Sequence, residues 1–173
     1  GFSLIELMIA LGIMTAALMG YMKMMAHQTK QNRTNVAAQE LSNYYREISA
    51  YIGKGQICEK TFIDKALVNN LKINSIKKRN GTDKYLVGAP YAGNVVKIKS
   101  MNLTEVEKEH DNIFKGSAQL TIHFEKMGKV YGVKEIRKTI ELDFIVNEKN
   151  KIITCASLGS LSLNSLNLAG LGL

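Results

Sequence analysis

The chain is poor in the side chains that do chemistry. Its 173 residues include three histidines and two cysteines. His27, His110 and His123 lie far apart, and neither Cys58 nor Cys155 has a histidine near it, which removes the usual zinc spacings. No HExxH, nucleophile elbow or phosphate-binding glycine loop is present, so an enzymatic reading has no constellation to stand on and no cofactor is called for. The acids Glu105, Glu107, Glu109 and Asp111 read as a mixed, solvent-facing segment, with calcium binding as the alternative. Positive charge is also missing from the front of the chain, where no Lys, Arg or His precedes Lys23. A secretory signal peptide needs a basic region before a shorter apolar run and a small-residue cleavage site after it, so that explanation fails. Residues 156–173 carry no charge at all.

What the front of the chain does have is an apolar run, GFSLIELMIALGIMTAALMGYM, whose one charge is Glu6. Residues 2–22 would make about 32 Å of helix at roughly 1.5 Å per residue, close to the roughly 30 Å hydrocarbon core of a bilayer. A helix apolar on every side could instead be a buried core helix, but about 150 remaining residues are too few to wrap it. Glu6 is the anomaly. A carboxylate at hydrocarbon depth is costly and asks for a cationic partner, and the available one is an amine at the start of this chain or of a neighbouring copy. The alternative is an acid in the first helical turn, favoured by the helix dipole and wetted at the interface.

The order Gly1-Phe2-Ser3-Leu4-Ile5-Glu6-Leu7-Met8 resembles the type IV prepilin cleavage and methylation motif. The resemblance covers about 30 residues directly and is specific, because composition, order and the position of the apolar run agree. It implies that prepilin peptidase cuts after Gly1 and that Phe2 becomes the N-methylated first mature residue; if Gly1 is retained because the chain is unprocessed, a short charged leader belongs in front of it. It implies that Glu6 sets subunit register by facing the amino group of an adjacent Phe2. It further implies an α+β, pilin-like fold, storage in the bacterial inner membrane, and assembly by a dedicated platform into an extracellular homo-oligomeric pilus serving adhesion, motility or DNA uptake, with separate cytoplasmic motors. A type II secretion pseudopilin in a periplasmic pseudopilus, a minor pilin at a filament tip, and a monomeric membrane-anchored adhesin share the same start. Many pilins carry proline near the position of Lys23; this chain does not, so any melting of the helix would rest on Gly12 and Gly20.

Beyond Lys23 the chain turns polar without a helix breaker until Gly53. Val36/Ala37, Leu41, Tyr44, Ile48 and Tyr51/Ile52 recur at helical spacing, which predicts one helix over residues 2–51 whose second half lies on a sheet. The chain thus divides into an apolar segment, residues 1–26, and a head, residues 27–173, that includes the amphipathic half of the helix. Thr61 and Asp64 with Phe62, Ala66, Leu67 and Leu71 predict a second helix over residues 61–72. A turn at residues 77–81 precedes a strand at 84–87, and a loop with Gly88, Pro90 and Gly93 precedes another at 95–98. Residues 104–110 read as a brief helix. Alternation predicts strands at 118–124, 130–136, 138–146 and 152–155, an antiparallel meander with one face against the long helix.

Cys58 and Cys155 stand at the two margins of this head. A disulfide would staple the helix exit to the last strand, as an exported domain permits; free, separately buried cysteines are the alternative. The leucine-rich tail, residues 156–173, reads as an edge strand or a surface wrap. All charge except Glu6 falls in residues 23–155, so the head accounts for the net +8 and is suited to DNA, anionic polysaccharide or a negative surface. Solvation of the Lys77-Lys78-Arg79 turn is the plainer account of that cluster.

Overall fold

The computed structural model describes residues 3–91, 93–108 and 114–159. Its first element, α1, runs unbroken over Leu4–Ile52, 49 residues or about 74 Å. The start is fixed by Ser3, which sits in extended backbone and forms a capping box with Glu6: the Ser3 hydroxyl accepts from the Ile5 N–H at 3.4 Å, and the Ser3 N–H donates to Glu6 Oε2 at 3.1 Å. Neither Gly12 nor Gly20 interrupts the helix. From Leu4 to Met25 the helix is exposed among the described residues, whereas Ala37, Leu41, Tyr44, Ile48 and Ile52 form a single buried stripe along its second half. Val36, expected in that stripe, is 47% exposed. Each buried Leu or Ile of the stripe contributes about 2 kcal/mol of apolar burial.

The helix stops where the sheet crosses it. A Cβ on Gly53 would lie 3.3 Å from the Ser49 carbonyl and in ordinary contact, at 3.7 Å, with Ser157 Cβ, which marks where the last strand comes up to the end of the helix. The chain then turns into α2, Gly55–Phe62, which packs on that strand. The helix expected over residues 61–72 is therefore displaced towards the N-terminus, and the segment after it is extended. Asp64 takes a left-handed backbone (φ 63°), the Asp64 N–H donates to the Ile152 carbonyl, and Leu67 N–H donates to the Asn150 carbonyl. Thr61 does not cap forwards. Its hydroxyl donates back to the Ile57 carbonyl at 2.8 Å and accepts from the Lys77 N–H at 3.1 Å.

The strands are β1 (Leu71–Lys72), β2 (Ser75–Lys77), β3 (Asp83–Leu86), β4 (Pro90–Tyr91), β5 (Val96–Lys108), β6 (Lys115–Lys126), β7 (Glu135–Val146) and β8 (Ile152–Ser157). One antiparallel sheet has the order β1-β5-β6-β7-β8, with β4 also on β5, and β2 and β3 form a separate hairpin. Leu103, Leu120 and Ile140 align across three strands, and Ala118, Leu120, Ile122 and Phe124 project alternately from β6 into the core beneath α1. Phe62 of α2 meets Phe144 of β7 edge-on at 5.4 Å.

Two local expectations give way. Residues 104–108 continue β5 through a bulge at Glu105 (φ 50°) rather than forming a helix; residues 109–113, including Glu109, His110 and Asp111, lie outside the described residues. Between residues 115 and 157 the meander has three strands, β6, β7 and β8, where four were expected, because residues 127–134 form a loop. Left-handed Gly128 (φ 80°) and Gly132 (φ 72°) bend it, and the Lys126 N–H closes its base on the Lys134 carbonyl at 2.9 Å. Gly116 on β6 answers a different need: a Cβ there would lie 2.9 Å from the Glu107 carbonyl and 3.0 Å from Leu67 Cδ2.

Candidate assembly surface

The unpartnered half of α1 is the largest functional feature of the described residues. From Leu4 to Met25 its large apolar side chains are 50% to 80% exposed, and the most apolar 18-residue stretch has a mean hydropathy of 1.9 with none of it buried. By length and composition it is able to cross a membrane. Six of the eight methionines stand here, at positions 8, 14, 19, 22, 24 and 25. Their unbranched, polarisable side chains adapt to neighbours of irregular shape.

Of the residues singled out from sequence, Gly1 and Phe2 lie outside the described residues, so the contact expected between Phe2 and Glu6 does too. Glu6 is in the first turn of α1, where its carboxylate takes the Ser3 N–H. One such bond leaves most of the carboxylate's acceptor capacity open. Cys58 and Cys155 are bonded, with Cα atoms 5.5 Å apart and both residues fully buried. The bond ties α2 to β8 just beyond the C-terminal end of α1. From residue 160 onwards the tail is outside the described residues; before that point Gly159 N–H donates to Asp143 Oδ2 at 2.7 Å, which turns the chain over the sheet. Among the described residues no group of three His, Cys, Asp or Glu is placed to hold a metal ion.

Two clusters that sequence reasoning missed fix the angle between α1 and the head. Around Glu47, the hydroxyls of Tyr85 and Tyr91 both donate to the carboxylate, the latter at 2.8 Å, and Lys84 Nζ lies 3.3 Å from it. Lys84 also sits 3.8 Å above the Tyr51 ring, and Tyr44 stacks on Tyr91 at 3.8 Å. The hydrogen bonds from Tyr85 and Tyr91, helped by Lys84, hold the Glu47 carboxyl below its ordinary range. Burial, then the Glu47 charge, pushes the Tyr44 phenol up to about 12, and burial followed by the hydrogen bond to Glu47 raises Tyr85. The second cluster is at the other end of the head. Tyr131, from the loop between β6 and β7, bonds its hydroxyl to His27 Nδ1, receives Lys30 over its ring at 4.0 Å, and donates its N–H to the Thr34 hydroxyl at 2.8 Å.

A long helix, half bare and half laid across a C-terminal antiparallel sheet, is the pilin-like architecture. No family model, curated protein or solved structure matches the chain. The relation therefore rests on the architecture and on the residues at the front of α1.

Proposed function

We propose that the chain is the structural subunit of a type IV pilus, stored in the inner membrane through residues 1–26 and polymerised by bundling those helices while the heads, residues 27–173, face outwards. The observation that carries this reading is the contrast within one helix: the second half is part of the core of the head, and the stretch from Leu4 to Met25 is apolar and, among the described residues, exposed. Removing that surface from water drives both membrane storage and bundling. At about 25 cal/mol per Å2, bundling has ample driving force but little intrinsic register, since an all-apolar cylinder packs about equally well at many offsets. Glu6 supplies the register. A neighbour's terminal amine at Phe2, freed by the peptidase at Gly1, would satisfy the acceptor capacity that the Ser3 N–H leaves open, and any other offset would strand a carboxylate in an apolar core.

Purified native filaments test this. Repeating density for this subunit in the filament core is the expected result, and its absence from filaments overturns the reading. Glu6→Ala is expected to leave membrane insertion intact and to cut incorporation sharply; incorporation at the unsubstituted level would remove Glu6 from the mechanism.

A further inference from the structure

The loop over residues 127–134 stands beside the membrane end of the head, and nothing in the assembly reading uses it. Tyr131 is held along α1 with its N–H on Thr34 and its hydroxyl on His27, so the ring runs down the helix towards the apolar half. His27 to Thr34 lie about 1.5 to 12 Å beyond Ala26 along the axis at roughly 1.5 Å per residue. The headgroup layer on each face of a bilayer is about 5 to 7 Å thick. If the apolar half spans the membrane, the Tyr131 hydroxyl and the loop's apolar tip lie at headgroup depth.

The loop's chemistry matches that depth. Val133 is 69% exposed and Tyr131 37%, an aliphatic tip beside an amphipathic ring. Within residues 23–34 and 127–134 every full charge is positive. Glu125 is neutralised by Lys97 at 3.0 Å and Lys134 at 2.9 Å, and Glu135 is paired with Lys99. Lys23, Arg33 and Lys129 make no ion pair among the described residues, and Lys30 is engaged only by the Tyr131 ring. Left-handed Gly128 and Gly132 hold the tip out, and the His27, Lys30 and Thr34 contacts fix it to α1.

We infer that this loop, with Lys23, Arg33 and Lys129, is a docking surface for the anionic headgroups of the bilayer that α1 crosses, and so sets the tilt of the head before assembly. The inference rests on the membrane-storage reading, and its test separates the two. The full chain, with its disulfide kept oxidised, is placed in phosphatidylcholine vesicles with and without phosphatidylglycerol. An environment-sensitive fluorophore is attached at Val133→Cys, at Met14→Cys within the apolar half, or at Thr82→Cys on the exposed turn between β2 and β3, and quenched with neutral aqueous acrylamide. Val133 is exposed enough for its substitution to leave the fold intact.

The expected result is a Met14 probe reached only by lipid-borne quencher, a freely quenched Thr82 probe, and a Val133 probe shielded when phosphatidylglycerol is present and released by salt. Lys129→Ala should lower the docked-to-free ratio about fivefold, from the roughly 1 kcal/mol that one basic residue contributes at an anionic leaflet. Equal quenching at Val133 and Thr82 with Met14 lipid-buried overturns the loop inference and leaves membrane storage standing. A water-exposed Met14 probe overturns membrane storage itself. Val133 shielding that rises with protein concentration and ignores lipid charge assigns the loop to a second copy of the chain and overturns the lipid assignment.

Discussion

Tyr85 shows how single side chains hold this molecule in shape. Its ring is 5% exposed and its hydroxyl donates to a carboxylate on another element, so Tyr85→Phe removes a charge-assisted bond while keeping the packing. The expected loss is about 2 kcal/mol, read by denaturant unfolding of the full chain in detergent. The same contact sets a pH dependence. The folded Glu47 pKa lies below its free value of 4.5, so the stability it contributes is complete above that value and is lost as pH falls through the folded pKa. Tyr85→Phe should therefore flatten the fall in stability between pH 4.5 and the lower, folded pKa of Glu47. Gly116 presents the opposite case, in which an added atom does the damage. Gly116→Ala must push a Cβ against the Glu107 carbonyl and Leu67, for an expected cost of about 2 kcal/mol in the same assay. Neither residue announces itself in the sequence. The partners of Tyr85 and Tyr131 lie 38 and 104 positions away, and such contacts follow from topology rather than from local pattern.

At the level of elements, the disulfide offers the sharpest test. Cys58→Ser with Cys155→Ser leaves α2 held to β8 by packing alone, and opening a loop of 97 residues should cost about 4 kcal/mol, measured as a lowered denaturation midpoint. The elements differ in how plainly they could be read. α1 was legible because its stripe from Ala37 to Ile52 keeps helical spacing over four turns, and β6 because Leu120, Ile122 and Phe124 alternate into one core. The segment after Thr61 misled because Phe62, Ala66, Leu67 and Leu71 fit a helical stripe by coincidence; Phe62 and Leu67 are buried, but on either side of a left-handed Asp64. The loop at residues 127–134 misled in the other direction. Val130, Tyr131 and Val133 have strand-forming side chains, yet two left-handed glycines and the hold of α1 on Tyr131 override that preference.

For the molecule as a whole, the proposed function asks the apolar half of α1 to serve two solvents. Met14→Arg puts a charge near the centre of the run, at a cost of about 2.5 to 3.5 kcal/mol for insertion, and should shift the chain from the membrane to the soluble fraction while the head keeps its near-ultraviolet circular dichroism. The head is insulated from that change because its core is built by the other half of the helix. The bond between Cys58 and Cys155 has a further consequence under tension. A pull applied through α1 and through residue 157 travels from α2 across the sulfurs into β8, so the covalent shunt bypasses β1 to β7. About 340 Å of contour length, at roughly 3.5 Å per residue, stays hidden inside that ring and pays out only after reduction, which makes the bond a mechanical fuse whose rating is set by redox chemistry rather than by the sheet.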